Sequence, residues 1–238
     1  MSAVVPYYED SQVKLYCGDS LSDELIGLWS GGDVLVTDPP YGIEWKGVSN
    51  YVAGSSKKTA PIWAEGIAND SSIEVRDAAL KAWGDRPAIV FGSWRQPRPE
   101  TVQHRLIWWK RGQAPGPASM AFMTQDEEIY VLGKGFRKSA PPMRTVIPTD
   151  EARSIQVAQI GHPTPKPVGL MEILIGRCPD GVIVDPFAGS GATLVAARNL
   201  GRRAIGVELE EKYCEIAARR LQQQAFDFED LLMAGEAE

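Results

Sequence analysis

The segment Val182–Glu208 constrains this chain more than any other stretch. It opens with a short apolar run, Val182-Ile183-Val184, that stops at Asp185-Pro186-Phe187-Ala188-Gly189-Ser190-Gly191. A helix is expected from about Ala192 to Leu200, with Gly201 as its stop, followed by a second strand, Arg203-Ala204-Ile205-Gly206-Val207, ending at Glu208. Strand, glycine turn, helix, strand is the unit from which parallel sheets are built.

The rest of the chain continues the alternation. Lys14-Leu15-Tyr16-Cys17 reads as a strand ending at Gly18-Asp19, and Ser20 or Ser22 can cap a helix running to about Leu28. Asp33-Val34-Leu35-Val36-Thr37 fits a buried parallel strand and ends in Asp38-Pro39-Pro40-Tyr41-Gly42. Further expected elements are a helix over Ser72–Trp83, strands at Ala88–Gly92, Arg105–Lys110 and Glu127–Gly133, a helix over Pro167–Ile175 closed by Cys178-Pro179, and a helix from Lys212 to about Gln223. The stretch from Ile43 to Asp70 has no period and reads as a long loop, while Gly112–Pro117 and Lys138–Pro148 are rich in proline and glycine. The expected architecture is a single α/β domain over residues 1–238 with a mainly parallel sheet and an acidic, loosely held tail over 226–238.

The glycine turn suggests a nucleoside ligand. Gly189 and Gly191 let backbone approach a bound molecule without a Cβ in the way, and the helix start offers unpaired N–H groups beside it. Glu208, with Leu209 next to it, ends the following strand, where a carboxylate can accept from both ribose hydroxyls. The full G-x-G-x-x-G dinucleotide pattern is not met, because Leu194 occupies the third glycine position. Asp185 inside the turn would repel a pyrophosphate and attract an ammonium or a sulfonium. S-adenosylmethionine carries both. Its carboxylate has a candidate site at His162-Pro163-Thr164-Pro165-Lys166-Pro167, where a helix begins with Thr164 and Lys166 nearby. Asp19 either accepts from the cofactor's adenine amino group or serves as a turn aspartate.

Asp38-Pro39-Pro40-Tyr41 suits a different task. The lone pair of an aryl amine is delocalised into its ring, so the amine is a poor nucleophile. Two acceptors, one per N–H, can hold it and favour a pyramidal nitrogen. Asp38 supplies a carboxylate, Pro39 a carbonyl on a backbone stiffened by Pro40, and Tyr41 a flat face for a base taken out of its helix. In-line attack on a sulfonium methyl would follow, with Asp38 as proton acceptor and the gain coming from orientation and placed dipoles.

Together these residues resemble the amino-type DNA methyltransferases. D-P-P-Y precedes the F-A-G-S-G turn, the circularly permuted order of the β group, which includes many N6-adenine and N4-cytosine enzymes. The resemblance covers roughly residues 13–223 and implies a Rossmann-like methyltransferase fold, a twisted sheet with helices on both faces. It also implies that Asp38, Pro39, Pro40 and Tyr41 hold the target amine. Asp19, His162, Thr164, Lys166, Asp185, Pro186, Phe187, Ala188, Gly189, Ser190, Gly191, Glu208 and Leu209 would then contact S-adenosylmethionine. Ile107-Trp108-Trp109-Lys110 and Gln125-Asp126-Glu127-Glu128 look like the family's W-x-K and H-E stretches, the second lacking its histidine. D-P-P-Y leans toward adenine, because N4-cytosine members often carry serine where Asp38 stands. Carbon-5 cytosine methylation needs a thiolate nucleophile from a Pro-Cys pair, and no cysteine here follows a proline.

The net charge of −6 argues against a general polyanion binder, so DNA contacts are expected from local clusters. Arg95, Arg98, Lys134, Arg137, Lys138 and Arg144 are the candidates for phosphate contact. The stretches 43–70 and 112–160 are the candidate recognition segments. Both are short, which leaves open a brief or relaxed specificity or help from a second copy in a homodimer. Cys17, Cys178 and Cys214 are far apart, and with His104 and His162 as the two histidines neither disulfides nor a metal site is expected. The chain reads as having no membrane span and no secretory signal, so a cytoplasmic location is expected. Two readings from other classes remain: methylation of RNA or of a protein amide, where the glycine turn usually comes first, and a cofactor-free DNA-binding module that kept the fold.

Overall fold

The computed structural model describes residues 4–45, 66–111, 121–122, 124–139, 141–150 and 160–235, with side chains up to residue 223. The elements are β1 (Tyr8–Glu9), β2 (Val13–Cys17), α1 (Asp23–Trp29), β3 (Val34–Thr37), α2 (Glu74–Trp83), β4 (Ala88–Gly92) and β5 (Val102–Lys110). They continue with β6 (Asp126–Leu132), β7 (Val146–Thr149), α3 (Val168–Ile175), β8 (Ile183–Asp185), α4 (Ala192–Asn199), β9 (Ala204–Glu208) and α5 (Glu211–Gly235). The strands form one sheet in the order β1-β2-β9-β8-β3-β4-β6-β5-β7. From β2 through β4 every neighbouring pair is parallel, and β6 then joins β4 and β5 antiparallel.

The apolar runs are continuous because the sheet is covered on both faces. Val34, Val36, Ile89, Phe91 and Ile183 pack with Leu170, Leu174, Leu194, Ala196 and Cys214 of the α3–α4–α5 layer. The intervening Leu35, Ala88, Val90 and Val184 pack with Leu25 and Trp29 of α1 and Ala79 and Trp83 of α2. Trp29 and Trp83 stack at 6.3 Å between ring centroids and are almost wholly buried. Each such side chain stabilises the fold by roughly 1.5–3 kcal/mol through burial. α1 starts where Ser22 accepts from the Leu25 N–H, with Asp23 and Glu24 in the first turn facing the positive end of the helix dipole.

The pairing of β3 with β8 sets up the site. Val34 lies opposite Ile183 and Leu35 opposite Val184, so Asp38 and Asp185 leave neighbouring strand tips although about 150 residues separate them.

Three features differ from the sequence expectation. β7 forms within the stretch read as loop. It carries Pro148 and occupies the outer edge of the sheet beside β5, where a missing N–H is tolerated. β1 adds a two-residue antiparallel strand at the other edge. α5 continues to Gly235 instead of ending near Gln223, consistent with the helix-forming Gln, Ala, Glu, Leu and Met residues of that segment. Of the proposed recognition segments, residues 46–65, 112–120, 123, 140 and 151–159 lie outside the described residues, as do 236–238 of the acidic tail. Among the described residues no helix is long and apolar enough to cross a membrane.

Candidate active site

A cavity of about 360 Å³ opens at the carboxyl ends of β3, β4, β8 and β9, lined by both motifs. Asp185 fastens its two halves together. Its Oδ1 accepts from the Thr37 hydroxyl at 2.6 Å and from the Phe187 N–H at 3.1 Å, and its Oδ2 accepts from the Thr193 hydroxyl at 2.5 Å. Thr37 ends β3 and Thr193 sits in the first turn of α4. Burial pushes the Asp185 carboxyl up to about 6, against these hydrogen bonds.

The two glycines of the turn have a reason the sequence did not disclose. Gly189 and Gly191 have φ of +51° and +80°. A Cβ on Gly191 would lie 2.9 Å from Cβ of Ala217 on α5, and one on Gly189 would lie 3.1 Å from Nε2 of His162. Each side on which a side chain would stand is therefore occupied by a protein neighbour, Ala217 for Gly191 and the cavity-lining His162 for Gly189. Glu208 closes the turn, its Oε2 accepting from the Gly189 N–H and its Oε1 from the Glu210 N–H, both at 2.8 Å. Burial raises its pKa against these bonds. Each oxygen keeps a second lone pair, so Glu208 can still accept from a ligand hydroxyl.

His162 packs edge-on against Tyr213 at 4.4 Å between ring centroids. Its Nδ1 accepts from the Thr164 N–H at 3.2 Å. Burial, aided by the nearby cations Lys166, Arg220 and Lys212, pushes its pKa down to about 3, so the ring is neutral. Asp19 Oδ1 accepts from the Leu21 N–H at 2.9 Å, which is the turn role, and Asp19 also lines the cavity. Thr164, Pro186, Phe187, Ala188, Ser190 and Leu209 line the same space.

The sequence reading makes Lys166 a cofactor contact; in the structure its buried ammonium lines the cavity, pairs with Asp38 Oδ2 and lies 3.3 Å from Glu127 Oε2, which joins it to the D-P-P-Y half. The Tyr41 hydroxyl is 2.7 Å from Asp38 Oδ1 and 3.0 Å from Glu127 Oε2, and Lys110 pairs with Glu127 Oε1. Burial raises the Asp38 pKa, with Lys166 opposing and Glu127 reinforcing the rise. Burial would raise Glu127 too, but the ammoniums of Lys166 and Lys110 outweigh it and hold that carboxyl down at about 2.

Glu127 and Lys110 fall in the two stretches that resembled family motifs without an assigned role. Lys110 follows Leu106 and Trp108 at period two on the buried face of β5, an inward charge that the strand pattern makes visible. Asp70 left no such signal. It is buried and accepts from the N–H groups of Gly42 at 2.7 Å, Ile43 at 3.4 Å and Trp45 at 2.7 Å, which fixes the chain leaving D-P-P-Y.

The candidate phosphate contacts are divided. Arg95 and the exposed Trp94 line the cavity mouth. Arg98 bonds buried Glu128 at 3.0 Å, as Arg105 does at 2.9 Å. Lys134, Arg137 and Lys138 follow the far end of β6, which runs antiparallel to β4. Gly133 there abuts Arg86 and Pro87 before β4, and Arg137 pairs with Asp180 before β8. These three therefore lie at the end of the sheet opposite the cavity. Arg144 is exposed ahead of edge strand β7.

Known proteins resemble this chain in sequence and in fold. The DNA methylase family of N6 and N4 amino methyltransferases matches residues 33–219. The type II methyltransferase M.ScaI of Streptomyces caespitosus is 28% identical over 92% of this chain and 84% of its own. The type II methyltransferase M2.DpnII of Streptococcus pneumoniae is 26% identical over 91% of this chain and 92% of its own. The fold matches the crystal structure of the M1.HpyAVI–SAM complex with TM-score 0.58 at 22% identity, covering 87% of this chain and 99% of that one. It matches the cytosine-N4-specific PvuII DNA methyltransferase with TM-score 0.63 at 17% identity, covering 90% and 87%. A family match across most of the chain, joined to two motif-bearing strand tips over one cavity, makes this protein a member of the S-adenosylmethionine-dependent DNA amino-methyltransferases.

Proposed function

We propose that the enzyme methylates the N6 amino group of adenine in DNA. The observation that carries this reading is the convergence of Asp38-Pro39-Pro40-Tyr41 and the Asp185–Gly191 turn on one cavity through the pairing of β3 with β8. Asp38 accepts one N–H of the target amine and the Pro39 carbonyl the other, which draws the nitrogen lone pair out of conjugation. S-adenosylmethionine supplies a methyl carbon made electrophilic by its sulfonium. Asp38 then takes the proton that the methylated amine must lose, and the chain contributes orientation and fixed dipoles, with no covalent intermediate. Asp38 in the first motif position favours adenine over cytosine.

The cofactor side follows from the donors and acceptors present. Glu208 and Asp19 offer acceptors for ribose and adenine groups, Phe187 and Leu209 offer apolar surface, and Asp185 offers the negative charge that a cationic ligand needs. His162 and Thr164, with Pro186, Ala188 and Ser190, complete the lining. For DNA, the reading narrows to Arg95 at the mouth and Arg144 on the edge, with Arg98 committed to Glu128. Incubating the protein with labelled S-adenosylmethionine and mixed-sequence DNA, then digesting to nucleosides, tests the assignment. N6-methyladenine is expected, and N4-methylcytosine would replace it with the cytosine reading.

A further inference from the structure

The D-P-P-Y motif does not stand alone: Lys166 pairs with its carboxylate, Glu127 engages Lys166 and Tyr41, and Lys110 pairs with Glu127, so three other parts of the chain meet at the motif. Lys166 arrives from the segment before α3, Glu127 from β6 and Lys110 from β5. Lys166 is 7% exposed and enclosed by aromatic rings, its Nζ lying 5.0 Å from the Phe91 centroid, 5.5 Å from Tyr41 and 5.9 Å from Trp108. An ammonium in such a cage has lost most of its water, so its position is set by the two carboxylates it faces. Glu127 draws it from one side and Asp38 from the other, and Tyr41 bridges the same two carboxylates through its hydroxyl.

We propose that Lys166 and Glu127 are a positioning pair for Asp38: Glu127 fixes Lys166, and Lys166 holds the Asp38 carboxylate ionised and aimed to receive the N–H of the target amine. The inference rests on the reading of Asp38 as that acceptor. The logic parallels a catalytic triad, in which a third group orients the second so that the second can serve the first. Several groups bear on the charge state of Asp38. Tyr41 on its own loop and Lys166 contact it directly, Glu127 acts on it through space from beyond Lys166 and Tyr41, Lys110 acts through Glu127, and Asp185 adds a negative charge from the tip of β8.

The two members act on Asp38 with opposite sign. Removing the Lys166 charge takes away a cation that favours the carboxylate, so the Asp38 pKa rises. Removing the Glu127 charge takes away an anion that disfavours it, so the pKa falls or stays.

The test is the single-turnover methyl-transfer rate of the full chain against pH, on mixed-sequence DNA at saturating S-adenosylmethionine. Lys166→Met, which suits the aromatic cage, is expected to slow transfer by at least about tenfold and move the acid limb of the profile up by about one pH unit or more. Binding of S-adenosylmethionine, read by calorimetry, should stay within about threefold, and Lys166→Arg should restore the limb and part of the rate. Glu127→Gln should also slow transfer, with the limb at or below its original place. A Lys166→Met enzyme with the original rate and limb overturns the inference. If that variant does not fold, Glu127→Gln decides alone, and an unchanged rate and limb overturns it. An inactive Asp38→Ala protein beside an unaffected Lys166→Met protein would retain the acceptor reading and remove only the pair, whereas an active Asp38→Ala protein would remove both.

Discussion

The turn after β8 and the charged cluster after β3 line one cavity, yet they are built in different ways. The turn is seven consecutive residues whose shape comes from local backbone, two left-handed glycines and a carboxylate latched by Thr37 and Thr193. The cluster is five side chains, Asp38, Tyr41, Lys110, Glu127 and Lys166, drawn from four separate segments and held by charge. The turn belongs to the parallel half of the sheet, whereas two members of the cluster come from antiparallel strands β5 and β6. A contiguous device needs the fold only to present it. A gathered device exists only once the distant register of the sheet is correct.

That contrast is sharpest in its stability consequences. Glu127→Ala would leave the buried ammoniums of Lys110 and Lys166 without their shared carboxylate, and is expected to cost about 3–5 kcal/mol in urea unfolding. A loss below about 1 kcal/mol would mean that the cluster is not held by charge. On the turn side, Gly191→Ala places a Cβ 2.9 Å from Ala217 at a φ of +80°. Left-handed strain and overpacking together predict a loss of about 2–4 kcal/mol, visible as a lowered Tm. An unchanged Tm would show that α5 can retreat from the turn.

Asp185 offers a smaller effect with a defined sign. Its folded-state pKa of about 6 lies above the 3.8 of an ordinary aspartate, so ionising it opposes folding. The destabilisation is absent below pH 3.8, grows as pH rises and is complete above about 6. Asp185→Asn should therefore gain stability relative to the parent across that window, by about 1–3 kcal/mol. A pH-independent difference between the two proteins would contradict the raised pKa. Smallest of all, Arg95→Ala should weaken DNA binding a few-fold and reduce its salt slope by about one, while Arg137→Ala with Lys138→Ala leaves the slope unchanged. The reverse pattern would place the DNA at the far end of the sheet.

What could be read in the sequence follows the same division. The strands β3, β4, β8 and β9 were legible because both faces are covered, which leaves apolar runs ending at acids or glycine, whereas β2, with exposed Lys14 and Cys17, was legible from Leu15 and Tyr16 before the Gly18-Asp19 stop. D-P-P-Y and the glycine turn were legible as contiguous strings. Strand β7 was hidden by Pro148, which an edge position tolerates. The carboxylate partners of Lys166 were not legible, because they lie 128 residues away at Asp38 and 39 away at Glu127. Glu127 acquires its meaning only from the pairing that brings Trp109 opposite Asp126 and so sets Lys110 beside it. The glycines were explained incompletely, since the groups they accommodate, Ala217 of α5 for Gly191 and His162 for Gly189, are tertiary neighbours.

The proposed mechanism rests on Asp38 as the group that receives the target amine. The direct measurement is the single-turnover methyl-transfer rate of Asp38→Ala, with S-adenosylmethionine affinity measured on the same preparation. A fall of about 10²–10³-fold or more with cofactor affinity within about threefold is the predicted result. Transfer at the parent rate with the cofactor still bound would contradict it.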